Sequence, residues 1–340
     1  MPHISMANHA KAHGPLISLR LGTRVLIVGS SPMAATEILK TNDRFLSGRC
    51  VPKANPYRSQ ELDRISLVWA PHCTEGWKSL RALCRTELFS AKAIESQASM
   101  REKKVAQMEL FSAGTDTTTT TIEWAVAELI KNKLMRKVRE ELEREINKDY
   151  IHESNVSQLP YLNACIKETL RLHPPAPFLV PRRAIENCEV MNYTIPKDSQ
   201  ILVNVWATGR DPSAWEDPLL FKPERFLNSS LDLKGHDYEF LPFGSGRRIC
   251  PGLPMATRQL PMILASLIHC FDWSLENNED PAELNMTEKF GITLQKEHPL
   301  LIVPKKNYNF NGCLLTICIF LIPAFVSLLI FWASGSERER

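Results

Sequence analysis

The chain has 340 residues, 44% of them hydrophobic and 23% charged, which allows one large core and excludes disordered and collagen-like architectures. Its 41 basic and 38 acidic residues nearly balance at +3, so it carries no general attraction to nucleic acid. Nine scattered cysteines, odd in number and without a CxxC pair, argue for reduced thiols in a cytosol-facing protein.

Residues 1–15 hold His, Lys and Asn without an apolar centre, so neither a secretory leader nor a membrane helix is expected there. Short apolar runs over 16–28, broken by Gly22-Thr23-Arg24, predict a β-hairpin. A helix is expected over 32–40, a loop over 43–71, and a second helix from about 75 to 89. Ile122, Ala125, Val126, Leu129 and Ile130 fall at helical spacing and predict one apolar face. Leu134, Val138 and Leu142, set among charges, predict an amphipathic, mostly solvated helix. The helix over 161–172 is stopped by His173-Pro174-Pro175. Short strands follow over 178–205 with a turn at Pro196-Lys197-Asp198, then loop to Gly252, a buried helix over 253–271, and terminal strands over 291–303. Residues 313–333 form an uncharged run of 21, preceded by Lys305 and Lys306, long enough to span a bilayer.

The segment FGSGRRICPG, residues 243–252, carries the strongest chemical signal. A thiolate ligand to haem iron needs a cysteine on a rigid loop, donors aimed at sulfur, and a nearby cation for a haem carboxylate. Gly246 and Gly252 permit tight turns, and Arg248 supplies a cation two residues before Cys250. The helix expected from Leu253 would direct its positive end at the thiol and lower its pKa. The plainer alternative is a structural cysteine in a Gly-rich turn. Five specified residues, Phe243, Gly246, Arg248, Cys250 and Gly252, each about 5% by usage, coincide by chance on the order of once in ten thousand such chains.

This pattern, FxxGxRxCxG, resembles the cysteine-loop signature of the cytochromes P450, and three further motifs agree with it in order. Glu168 and Arg171 in KETLR match the family's ExxR, where the pair joins a buried ion network with an arginine resembling Arg225 of PERF; alone, the pair reads equally as a surface contact. AGTDTT, residues 113–118, resembles the oxygen-binding helix, where Asp116 and Thr117, at a locally opened turn, can relay the protons that O–O cleavage consumes; alone, Asp116 reads as a helix cap. Trp77 and Arg81 match a WxxxR pair that holds a haem propionate, and Arg182 falls where another propionate partner is expected. Ser112, Ala113, Phe178, Leu179 and Val180 occupy positions that usually face substrate.

The resemblance covers about residues 15–304, looks like the plant type, and is nearest the alkaloid-pathway members. It implies a mainly α fold with small β-sheets (α+β), haem b (iron protoporphyrin IX) on Cys250, O2, NADPH delivered through NADPH-cytochrome P450 reductase, and a small apolar or aromatic substrate such as a benzylisoquinoline. It also implies the endoplasmic reticulum membrane with the catalytic domain cytosolic. Residues 1–306 are expected to form a shortened family domain and 307–340 a tail foreign to the family, with a membrane helix at 313–333. The N-terminal membrane helix of the family has no counterpart, and residues 90–108 stand where it has several helices. Two readings follow: an active monooxygenase, or an inactive shortened product that binds haem weakly or not at all.

Overall fold

A computed structural model describes residues 1–49, 66–88, 108–146, 151–276 and 279–306. The predicted hairpin is present as β1 (Leu16–Leu21) and β2 (Arg24–Gly29), antiparallel with Leu16 opposite Gly29. Strand β2 runs parallel to β6 (Gln200–Val203), which pairs antiparallel with β3 (Arg182–Arg183), giving the sheet order β1-β2-β6-β3. Three two-stranded sheets complete the β structure: β4 (Cys188–Val190) with β5 (Tyr193–Ile195), β8 (Glu288–Phe290) with β9 (Leu294–Lys296), and β7 (Phe271–Leu275) with β10 (Ile302–Lys306). Asp198, in the predicted turn, adopts φ +68°, which lets the chain reverse into β6.

Local chemistry sets the helix ends. Helix α2 (Pro32–Thr36) starts where Ser31 Oγ accepts from the Ala34 amide at 3.1 Å, and it widens into a π turn over Glu37–Thr41. Helix α4 (Glu75–Leu83) starts where Thr74 Oγ1 accepts from the Trp77 amide at 3.2 Å, and it likewise widens over Cys84–Leu88. The long helix α5 (Met108–Lys131) leads into α6 (Met135–Glu145). Helix α7 (Pro160–Leu172) opens on a proline and ends before the two prolines, as expected. After the single-turn helix α8 (Val205–Thr208), helix α9 (Leu253–Cys270) begins immediately beyond the cysteine loop.

Two elements differ from expectation. Residues 2–13 form helix α1 (Pro2–His13), docked by a wholly buried His3 whose carbonyl accepts from Asn204 Nδ2 at 2.9 Å. Inside the expected loop, Asp43–Leu46 closes the short helix α3. Four residues are too few to show any period, so sequence patterning could not find it.

The main core lies between α5, α6, α7 and α9, where Leu129, Val138, Leu142, Leu162, Ile166, Leu264 and Ile268 pack together. A second cluster joins the sheet to α2 and α3 through Ile27, Ile38, Leu39, Leu46 and Ile201. Helix α6 keeps the expected amphipathic burial, with Val138 and Leu142 inward. On α5 the single expected face is too narrow, because Trp124, Ala127 and Glu128 are buried as well. The helix is enclosed by α7, α9 and β9 on several sides. The segment where family helices are expected falls mostly on residues 89–107, and the apolar run on 313–333; both lie outside the described residues. Among the described residues, no helix is long and apolar enough to cross a membrane.

Candidate haem-thiolate site

The cysteine loop is a succession of tight turns closed by backbone bonds. Gly244 and Gly246 both take positive φ, +71° and +70°. The Ile249 amide donates to the Gly246 carbonyl at 3.1 Å, and the Cys250 amide to the Phe243 carbonyl at 2.9 Å. Phe243 itself packs against the helical core, which anchors the loop's start. The amides of Gly252 and Leu253, at the start of α9, lie close enough to Cys250 Sγ to favour its thiolate, and the Leu253 amide donates to the Cys250 carbonyl at 3.4 Å. The thiol pKa is nevertheless raised: burial outweighs these two amides and the charge of Arg81. The expected lowering by the helix terminus is therefore overridden, because desolvation of a lone sulfur is the larger effect.

Four arginines converge beside this loop. Arg182 is fully enclosed, donating from Nη1 to Asp43 at 2.7 Å and from Nη2 to the Ser245 carbonyl at 3.0 Å. Arg248 donates to the carbonyls of Ser47 at 3.1 Å and Ala70 at 2.8 Å, and its guanidinium lies 4.4 Å from the centre of the Trp77 ring. Arg81, one helical turn after Trp77, donates to the Ile249 carbonyl. Trp77 is buried and donates its indole N–H to the Leu67 carbonyl at 3.0 Å. Arg49 is 6% exposed, donates to the carbonyls of Val180 and Pro181, and leaves a buried Nε without a partner. Burial, more than mutual repulsion, holds the pKa of all four below that of a free guanidinium, most strongly for Arg49. Asp43 is the one carboxylate shown in contact with this group among the described residues.

Among the described residues this cluster holds more cations than anions. A group with carboxylates on a planar, apolar body that also offers a metal to sulfur matches the donor set, and haem has these properties. Arg49 escaped sequence reasoning because it stands 131 or more residues from the carbonyls that position it.

The ion network on α7 is built as the motif implied. Glu168 takes a two-pronged contact from Arg171, at 2.7 Å from Nε and 2.8 Å from Nη2, both side chains being fully buried. Arg225 Nε and the Lys222 amide add donors at 3.0 and 2.8 Å. The remaining Arg171 donors reach the carbonyls of Gly209, Pro218 and Leu220, which ties the Pro-rich loop to the helix.

The other candidates fall into place less uniformly. Asp116 is exposed on α5 and Thr117 half-buried. The helix is continuous through residues 113–118 and shows none of the expected local opening. The Thr119 and Thr121 hydroxyls bond back to the carbonyls of Thr115 and Thr117 at 2.9 and 2.8 Å. Ser112 and Ala113 belong to α5, with side chains outside the described residues. Phe178 is a core side chain, packed with Ile17, Leu26 and Val28 beneath the hairpin instead of facing an open chamber. Leu179, at φ +54°, leans toward Gly244, and Val180 contributes its carbonyl to Arg49.

The family model described as "Cytochrome P450" matches residues 88–303, more than half of the chain. The chain belongs to the cytochrome P450 family. It is 38% identical to (S)-N-methylcoclaurine 3'-hydroxylase isozyme 1 of Papaver somniferum, over 89% of this chain and 91% of the relative. It is also 38% identical to a probable isozyme 2 of the same enzyme from Coptis japonica, with 89% of each chain covered. A zebrafish cytochrome P450 solved with progesterone superposes with a TM-score of 0.72 at 20% identity, covering 90% of this chain and all of that one, which establishes the fold. As a plant-type cytochrome P450 the chain is a monooxygenase by family. The first alignment extends over 439 residues, longer than this P450 itself, so the relative carries segments the chain lacks.

Proposed function

We propose that this cytochrome P450 binds haem through Cys250 and hydroxylates a small aromatic substrate of the benzylisoquinoline class. The observation that carries the reading is the tightly turned cysteine loop, closed by the Cys250 amide on the Phe243 carbonyl, beside Arg49, Arg81, Arg182 and Arg248, with Asp43 the one carboxylate shown against this group among the described residues. Bound there, haem would supply an iron centre, made electron-rich by the thiolate, at which dioxygen is activated.

The chain's own residues perform the remaining tasks. The amides of Gly252 and Leu253 share the negative charge of the sulfur, and Phe243 and Gly252 hold the loop at both ends. Arg81, Arg248, Arg49 and Arg182, with Trp77 stacked against two of them, neutralise and orient the carboxylates. Asp116 and Thr117 carry protons from solvent toward the reacting oxygen, a task suited to an exposed carboxylate next to a hydroxyl. Ser112, Ala113, Leu179 and Val180 line the substrate side, while Phe178 supports it from the core. Electrons come from NADPH through NADPH-cytochrome P450 reductase. The substrate class rests on relatives named for N-methylcoclaurine. The apolar run at 313–333 and the free thiols of the six cysteines among the described residues support an endoplasmic reticulum location with the folded domain in the cytosol.

A difference spectrum of the reduced, CO-treated chain tests the reading. A thiolate-type Soret band in the unsubstituted protein, abolished in Cys250→Ser, is expected. Absence of haem uptake by the unsubstituted chain overturns it, and failure to turn over a benzylisoquinoline with reductase and NADPH overturns the substrate class.

A further inference from the structure

The carboxylate of Asp43 is 7% exposed and is divided between two partners remote in sequence. Its Oδ1 accepts from Arg182 Nη1 at 2.7 Å, and its Oδ2 from the backbone amide of Arg247 at 2.9 Å. Arg247 Nε approaches the same oxygen at 3.3 Å. Arg182 in turn donates to the Ser245 carbonyl, so Asp43 and Arg182 grip the cysteine loop at two adjacent points. Between those points lies Gly246, whose φ is +70°. A Cβ added there would meet the Leu39 carbonyl and lie 3.0 Å from the Asp43 carboxyl. The loop is thus pressed against the corner between α2 and α3 with no room for a side chain.

We infer that Asp43 is a positioning residue for the cysteine loop, holding the Gly246–Arg248 turn from which Cys250 projects. The inference rests on Cys250 as the haem ligand. The turn that Asp43 anchors is continuous with the cysteine through the Ile249 amide to Gly246 and the Cys250 amide to Phe243. A carboxylate is suited to the position because it accepts from a guanidinium and an amide at once, with one oxygen for each. An asparagine offers one acceptor and turns two donors toward a site already filled with donors. Without the tie the loop keeps its internal bonds and the Arg182 contact at Ser245 but loses its hold on α3 at Arg247, and the sulfur loses its defined approach to the metal.

The test compares Asp43→Asn and Asp43→Glu with the unsubstituted full-length chain by reduced CO difference spectra, with far-UV circular dichroism as the check on folding. Asp43→Asn is expected to keep its circular dichroism while the ratio of thiolate-type to thiol-type Soret absorbance falls roughly tenfold, the size of effect seen when groups supporting a metal ligand are removed. Asp43→Glu recovers part of the ratio. An unchanged ratio in folded Asp43→Asn overturns the inference. Should Asp43→Asn not fold, hydrogen exchange at the Arg247 amide of the unsubstituted chain decides. Protection comparable to that of the Cys250 amide supports the tie, and exchange at the rate of an open loop overturns it. An unsubstituted chain without any thiolate band overturns the haem reading instead, and the Arg247 amide still decides the role of Asp43.

Discussion

Glu288, on β8, gathers partners from α1, the end of α7 and the turn around α8. Its carboxylate accepts from His3 Nε2 and Trp206 Nε1, each at 3.1 Å, and lies 3.5 Å from both His173 Nδ1 and Arg210 Nη2. Burial alone would raise its pKa; the close approach of His173, the hydrogen bond from His3 and the charge of Arg210 prevail and hold it far below the usual range. A depressed carboxylate contributes stability above its unfolded pKa and loses it as pH falls toward the folded one. Glu288→Gln is therefore expected to cost about 3 kcal/mol at neutral pH, as removal of one partner from a buried ionic cluster does. The gap should narrow below the ordinary glutamate value of about 4.3, where the unfolded chain takes up a proton that folded Glu288 refuses. Urea unfolding at several pH values checks this, and a constant gap across the acid range contradicts it. No sequence spacing announces this cluster, since residues 3, 173, 206, 210 and 288 share no period. Glu168 and Arg171 were legible because an i,i+3 pair meets on any helix face.

Helix α5 shows how elements acquire their environment. Trp124 is fully buried, donates its indole N–H to the Leu294 carbonyl at 3.0 Å, and stacks on His173 with ring centres 3.9 Å apart and planes 1° from parallel. One residue thus links α5 to the end of α7 and to β9. Trp124→Phe keeps a ring but leaves the Leu294 carbonyl unpaired, with an expected loss of about 1–3 kcal/mol measured by thermal or denaturant unfolding; a loss below a few tenths would show that the bond contributes little. Helical periodicity located α5 but understated its burial, because a hydrophobic period records one packed face and α5 is enclosed by several elements. Glu141 gives a related case on α6. It reads as a solvated charge among others, yet it is buried and accepts from the Tyr161 and Leu162 amides at 2.7 and 2.8 Å, capping the start of α7. Short α3 and polar α1 escaped prediction because neither carries a strong apolar stripe.

Across the whole molecule, the described domain follows the cytochrome P450 fold although its relatives carry segments it lacks. The run of 21 uncharged residues at 313–333 has the length for membrane insertion. The full chain is expected to float with vesicles and to resist alkaline extraction, whereas a chain ending at Lys306 should lose that behaviour; equal extraction of both forms would exclude anchorage by this segment. The family and the ExxR pair were legible in the sequence alone, because each is encoded in a pattern spanning a few residues of one loop or helix. Tertiary structure alone decided how those parts are held. Asp43 reaches Arg247 across 204 positions and His3 reaches Glu288 across 285, so only the folded packing of α1, α3 and β8 brings these charges together. At Cys250, too, burial overrides the helix terminus that its local sequence foretold.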